Sequence, residues 1–151
     1  MPHETRNDAS KKEQAEYLLE CARYRKALQK YLLEGELMGE LSLEEPPPPI
    51  EAEWGGWQGK HPVKIPSVVT AVWQARDGNW ALLAANLSPE PRKASYEFDV
   101  NARGLPAGAK RLRLTRVRPA GNEDLGEVDL KFRRSEALAP REILAIEILA
   151  Q

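Results

Sequence analysis

Cysteine and histidine are scarce in this sequence, whose 151 residues include one cysteine, Cys21, and two histidines, His3 and His61. A single cysteine cannot form a disulfide within the chain, and no Cys/His cluster has the spacing of a zinc site. Nucleophilic hydrolysis needs a base beside a serine or cysteine, and the G-x-S-x-G motif is absent. We therefore expect no metal, no cofactor and no catalytic triad in this chain.

Long apolar runs and an excess charge of one sign are also missing. No stretch approaches the roughly 18 apolar residues that a membrane-spanning helix needs, and the polar start, MPHETRNDASKKEQ, has no signal-peptide pattern. A net charge of −1 gives no overall field that would attract nucleic acid or an anionic membrane. We expect a soluble, cytoplasmic chain with no nucleic-acid or membrane partner. If the chain is a fragment, the location of its parent protein is unknown.

An amphipathic helix is predicted over residues 10–35, after a flexible N-terminus of residues 1–9. Ser10 and Glu13 form a capping-box pattern, and Gly35 is placed to end the helix. Apolar residues recur at three- and four-residue steps and so form one stripe on the helix. We expect this stripe to require cover, and its candidate interface residues are Tyr17, Leu18, Tyr24, Leu28 and Tyr31.

A connector rich in proline and glycine is predicted over residues 36–62. Pro46 to Pro49 favour a stiff polyproline segment, and the sequence WGGWQGKHP is typical of a loop. Over residues 63–151 the apolar period changes to two, which predicts a β-sandwich domain. The predicted fold class is mainly β: an antiparallel β-sandwich of about six strands preceded by one long N-terminal α-helix.

Alternation of apolar and polar residues predicts the individual strands. Asp77-Gly78 is placed as the two-residue turn of a hairpin, and the return strand NWALLAANL is apolar on both faces, as a central strand should be. Val128, Leu130 and Phe132 alternate with charged residues and are assigned to one strand. The chain closes on REILAIEIL, a further apolar strand.

Trp54 and Trp57 in EWGGWQG are the candidates for carbohydrate contact. An indole face is flat and apolar, so it matches the C–H face of a sugar ring, and a glycine-rich loop can present it. The alternative is that both tryptophans pack over the sheet or the helix as large apolar plugs. Trp73 and Trp80, which flank the Asp-Gly turn, are expected in the core or at its rim.

The charged clusters are interpreted as solvated surface. KRLRLTRVR places Arg111 and Arg113 on one strand face, but no aromatic residues interleave with them. Glu123, Glu127 and Asp129 are positioned to neutralise these arginines across the sheet. Neighbouring carboxylates in the connectors do not imply the separation that a glycosidase requires.

The order of these elements resembles the C-terminal part of bacterial glycoside-hydrolase-like proteins, in which a (β/α)8 barrel is followed by an antiparallel β-sandwich. Three stretches carry the resemblance: YLLEGELM at the helix end, VVTAVWQARDGNWALLAANLSPEPRKASYEFDV with its Asp-Gly hairpin, and the closing PREILAIEI. The resemblance implies that the catalytic carboxylates lie on barrel strands. This sequence does not contain those strands, so no catalytic residue can be carried over to it from the resemblance.

The resemblance therefore implies a non-catalytic accessory domain, a fragment whose role is structural support with weak glycan contact. Its partner would be a barrel upstream of Met1, which would cover the helix stripe. Two alternatives stay open. The chain could be a stand-alone carbohydrate-binding module that uses Trp54 and Trp57, or an interaction module that self-associates through the helix stripe.

Overall fold

The computed structural model describes residues 9–104 and 108–151. Within these residues, two helices are followed by ten strands. The helices are α1 (Ala9–Ala27) and α2 (Gln29–Leu32), and the strands are β1 (Glu36–Gly39), β2 (Ile50–Gly56), β3 (Gly59–Ile65), β4 (Val68–Gln74), β5 (Trp80–Asn86), β6 (Arg92–Asp99), β7 (Leu112–Arg116), β8 (Glu123–Val128), β9 (Lys131–Leu138) and β10 (Ile143–Ala150). Neither described helix has the length and apolar character needed to cross a membrane.

The body of the molecule is a sandwich of two antiparallel sheets. The large sheet has six strands in the order β1-β4-β5-β10-β7-β8, and the small sheet pairs β6 with β9. All strand pairs in both sheets are antiparallel. The predicted fold class, a mainly β antiparallel sandwich preceded by one main helix, is confirmed.

The core between the two sheets is built on aromatic side chains. The ring of Trp80 on β5 meets Phe98 on β6 nearly edge-on, with 6.3 Å between ring centroids. Phe98 in turn lies 5.7 Å from Phe132 on β9. Leucine, isoleucine and valine side chains from β4, β5, β7 and β10 fill the remaining space. Trp80 is fully buried, so its predicted place in the core is confirmed.

The outer face of the large sheet is covered by the helical region of the same chain. Tyr24, Leu28 and Tyr31 pack there in one cluster with Ala81 of β5 and Ala145 of β10. The two alanines keep this face flat and apolar, so the helical side chains can lie directly on the strands. The C-terminal half of the helix stripe therefore covers the chain's own sheet, and cover of the remaining stripe from outside the chain stays a prediction.

The predicted single helix over residues 10–35 is interrupted at Leu28, where φ is −109° and ψ is 19°. The amide of Leu28 still donates to Tyr24, and that of Leu32 donates to Leu28, so the interruption is a local distortion. Ser10 lies within α1 rather than at its N-cap, and α2 is capped by Leu33 rather than by Gly35. Residues 1–8 of the predicted flexible N-terminus lie outside the described residues.

The region predicted as a connector, residues 36–62, contains strands. β1 pairs with β4, and β2 pairs with β3 as a hairpin. The prediction of a loop at WGGWQGKHP is wrong, because Trp57 and Gln58 form a two-residue turn and Gly59 takes the positive φ of 107° that follows it. The proposed domain boundaries stay a prediction.

The stretch around Val128 also differs from the prediction of a single strand. Val128 ends β8 and Lys131 begins β9. The apolar alternation continues through this turn because Leu130, inside it, also packs against the core between the sheets. A turn whose own side chain is packed on the core therefore has the sequence pattern of a strand.

Asn86 is a fully buried polar anchor at the end of β5. Its side-chain amide donates to the carbonyls of Glu90, at 2.7 Å, and Ala139, at 3.0 Å. Its side-chain oxygen accepts from the Ser88 amide at 3.0 Å and from the Ser88 hydroxyl at 2.8 Å. One side chain thus joins the end of β5, the loop before β6 and the end of β9.

Gly35 lies where the helical region passes close to β4. A Cβ atom at Gly35 would stand 2.6 Å from the Gln74 carbonyl oxygen and 2.5 Å from that of Tyr31. We expect Gly35→Ala to lower the free energy of unfolding by about 1–3 kcal/mol, because both obstacles are backbone atoms that cannot move aside cheaply. Urea denaturation followed by circular dichroism measures the change.

Gly55→Ala on β2 is the matched control, since a Cβ there meets no atom within 4 Å. Its effect on the free energy of unfolding should be small. Equal losses in the two variants would show that the close approach at Gly35 is unimportant for stability.

Candidate functional site

The β2–β3 hairpin extends from the sandwich and is exposed along its length. Its register pairs Trp54 with His61 and Ile50 with Ile65. Beyond each other, the two strands make few contacts with the rest of the described chain. Trp57 at the turn is fully exposed, and Trp54 is 69% exposed. The structure therefore presents both indoles to solvent rather than packing them as plugs over the sheet or helix.

The two faces of this hairpin differ in chemistry because successive strand residues point to opposite sides. On one side, Glu51 pairs with Lys64 at 3.0 Å and Glu53 with Lys60 at 3.4 Å. The other side carries no charged pair. We call it the apolar hairpin face, and it consists of Ile50, Ala52, Trp54, His61, Val63 and Ile65.

His61 belongs to this surface, although the sequence did not predict it there. The structure places it directly across from Trp54, whereas the neighbouring proline and glycines suggested a loop. Apolar residues recur at every second position, with Ala52 and Trp54 on one strand and Val63 and Ile65 on the other. This period of two is the signal that could have revealed the hairpin. His3 lies outside the described residues.

The five candidate interface residues of the helix separate into two groups. Tyr24, Leu28 and Tyr31 are buried inside the chain, whereas Leu18 is 67% exposed and Tyr17 is half-buried. Three of the five are therefore engaged with the chain's own sheet. A partner could reach only the N-terminal part of the stripe.

An apolar groove separates this N-terminal part of the helix from the sheet. Its volume is about 290 Å³, just below the roughly 300–1,000 Å³ of typical ligand pockets. Tyr17 and Cys21 line it from α1, and Val69, Ala71 and Leu83 line it from β4 and β5. Burial, together with the neighbouring Cys21 thiol, raises the pKa of the Tyr17 phenol. The groove suits apolar groups.

A polar cluster fixes the other end of the helical region to the sheet. The Tyr31 hydroxyl donates to Glu147 Oε1 at 2.6 Å. Lys30 Nζ lies 2.6 Å from Asp77 Oδ2 and 3.8 Å from Glu147 Oε1. Burial raises the pKa of the Tyr31 phenol, and its hydrogen bond to Glu147 raises it further. Burial opposes ionisation of Asp77, but the hydrogen bonds from Lys30 and Asn79 hold its pKa below the usual value.

The basic strip through β7 is neutralised by carboxylates, as predicted for Glu123, Glu127 and Asp129. On β7 itself, Arg113 pairs with Asp124 and Arg116 pairs with Glu142. Arg111 lies 3.7 Å from Glu127 and 3.9 Å from Asp129, and Arg118 lies 3.2 Å from Glu123. These pairs leave no continuous run of free cations along β7 that could follow a phosphate backbone.

Within the described residues, no group of three or more His, Cys, Asp and Glu side chains is placed to hold a metal ion. The exposed hairpin and the helix groove are therefore the two surface features that we consider as functional sites.

No protein-family model and no curated protein matches this sequence. Solved structures that resemble it include a Bacillus halodurans C-125 protein assigned provisionally as an α-N-acetylgalactosaminidase, with 13% identity and a TM-score of 0.43 over 56% of this chain and 19% of that one. Wild-type and variant structures of a GH27 β-L-arabinopyranosidase from Geobacillus stearothermophilus show 21% identity and a TM-score of 0.41 over 54% of this chain and 17% of theirs. The chain thus corresponds to less than a fifth of each enzyme, and the likeness concerns the fold alone.

Removal of the Tyr31 hydroxyl tests the polar cluster. We expect Tyr31→Phe to lower the free energy of unfolding by about 1.5–3 kcal/mol, because a partly buried carboxylate loses its donor. Because the folded chain raises the pKa of Tyr31, the phenol contributes stability that is fully present below about pH 10 and is lost as the pH rises above it.

Urea denaturation of both proteins between neutral pH and strongly alkaline pH measures this dependence. Above about pH 10, stability should fall more steeply in the wild type than in Tyr31→Phe. Burial also raises the pKa of Tyr24 and Tyr96, so some alkaline loss should persist in the variant. Parallel profiles would contradict the assigned role of Tyr31.

Proposed function

We propose that this chain is a non-catalytic β-sandwich accessory domain of a glycoside-hydrolase-like protein, where it gives structural support. One observation carries the proposal: two of the three stretches that carry the resemblance to such domains lie side by side in the fold. The Asp77-Gly78 turn lies between β4 and β5, and the closing motif forms β10. β5 and β10 pair along the register from Ile143–Ala85 to Ile148–Trp80.

Asn86, which lies in the first of these stretches and ends β5, strengthens this observation. Asn86 is buried and holds β5 to the end of β9 and to the loop before β6. The residues that carry the resemblance therefore form the internal framework of the sandwich. A shared framework is what a shared supporting role requires, whereas a shared catalytic role would require shared surface groups.

The chemistry of the charged surface agrees with a supporting role. A glycosidase needs one carboxyl group with a raised pKa to act as the acid. The Lys131 and Arg133 side chains instead lower the pKa of Glu97, and Arg113 lowers that of Asp124. These carboxylates are partners in surface ion pairs.

The first test is hydrolysis. We expect the purified chain to leave a panel of p-nitrophenyl glycosides intact, with nitrophenol release equal to that of buffer, because the pKa values of Asp77, Glu97 and Asp124 are all lowered, which is the opposite of what a catalytic acid needs. Asp124→Asn and Glu97→Gln variants provide the comparison. A rate that a single carboxyl substitution abolishes would overturn the proposal.

A second candidate function is glycan contact through the hairpin. The observation that favours it is the exposure of both indoles, Trp54 and Trp57, on an element that stands clear of the sandwich. Exposed indole faces are suited to the apolar faces of sugar rings. This function would make the chain a carbohydrate-binding module.

The glycan candidate predicts a specific loss. Binding to a panel of soluble polysaccharides, measured by affinity electrophoresis, should disappear in the double variant Trp54→Ala/Trp57→Ala, because the stacking surface is gone. The control is Glu51→Gln/Lys64→Gln, which changes the opposite hairpin face and should bind like the wild type. Binding that survives the tryptophan substitutions would exclude these residues as the site.

A further inference from the structure

We infer that the apolar hairpin face is a docking surface for a folded protein domain joined covalently to this chain. The inference rests on the proposed function and names the surface through which the accessory domain contacts its neighbour. It replaces the helix stripe as the main contact, because most of that stripe is used inside the chain.

The composition of the face favours a protein partner. From Trp54 toward the base of the hairpin the face is aliphatic, with the Ala52–Val63 pair followed by the Ile50–Ile65 pair, and it carries no polar side chain other than His61. Sugar sites combine aromatic platforms with several hydrogen-bonding groups, because hydroxyls that lose water need new partners. Aliphatic side chains around one aromatic residue are instead typical of the buried centre of a protein interface.

The opposite face shows which side of the hairpin belongs in water. The ion pairs Glu51–Lys64 and Glu53–Lys60 are both strongly exposed. Antiparallel strands with one charged face and one apolar face normally cover a core with the apolar side. A two-stranded hairpin without such cover is marginally stable in water, so the apolar face gains stability from a partner.

The outer edge of β3 is unsuited to pairing with another strand. Pro62 lies in β3 opposite Glu53, and a proline has no N–H to donate to an added strand. Lys60 and Lys64 flank Pro62 on the same strand, and lysines on an edge oppose sheet extension. On the β3 side, contact is therefore directed to the face.

The size of the face selects a tethered partner rather than a free one. Each strand has seven residues, so the face measures roughly 23 Å by 10 Å, or on the order of 230 Å². A stable interface between free proteins buries about 800 Å² on each side. A covalent link replaces the missing affinity with an effective concentration in roughly the millimolar range. A second copy in free solution lacks that advantage.

The mass of the natural polypeptide, purified from its source, first shows whether other domains are joined to this chain. The same full-length polypeptide is then produced recombinantly for cross-linking. A photo-reactive p-benzoylphenylalanine is placed at His61, on the apolar face, and in a second protein at Lys64, on the charged face. After illumination, peptide mass spectrometry locates the cross-links. We expect the probe at position 61 to cross-link to residues beyond the 151 of this chain. The probe at position 64 should give no such cross-link.

Several results would overturn the inference. They are a natural polypeptide with the mass of this chain alone, equal cross-linking from both positions, cross-links only between copies of this chain, and glycan binding that is lost in Trp54→Ala. Glycosidase assays on the natural polypeptide test the proposed function separately. Docking onto a domain without such activity would refute the proposed function and leave the docking surface in place.

Discussion

The pairing of β5 with β10 is the constraint on which the rest of the molecule depends. β5 is apolar on both faces, and β10 is too except for Glu147: Leu82 and Ile146 point between the sheets, and Ala81 and Ala145 point outward. Burial of one leucine or isoleucine side chain contributes about 1.5–3 kcal/mol, so neither face can be left in water cheaply. The small sheet covers one face of this strand pair and the helical region covers the other. Each layer buries apolar side chains that would otherwise be exposed to water.

Much of the fold is predictable from sequence because its signals are local. The period of two after residue 63, the Asp77-Gly78 turn and the double-sided apolar pattern of β5 all describe neighbours in the chain. The cover on the outer face could not be predicted in the same way. It depends on Tyr31 meeting Glu147, residues separated by 116 positions, and no short-range pattern encodes such a contact.

At the β2–β3 hairpin, the sequence identified the candidate residues but not the strands. Trp54 and Trp57 were found because large aromatic residues among glycines attract attention, but the same glycines concealed the strands. Glycine content indicates a loop when it interrupts a pattern, and here Gly56 and Gly59 form the closing pair of a tight hairpin. The partner of Trp54, His61, could be identified only once the register was known.

The position of β10 in the large sheet also bears on how the chain folds as it is made. β10 is the last strand in sequence, yet it lies between β5 and β7 in the middle of the sheet. Until β10 is available, the β7–β8 pair cannot join the rest of the large sheet. The core between the sheets and the cluster on the outer face also stay incomplete. Chains whose native contacts join residues far apart in the sequence fold slowly. Folding of the sandwich can therefore finish only after residues 143–150 have left the ribosome, and until then β5 lacks one of the two strands that pair with it.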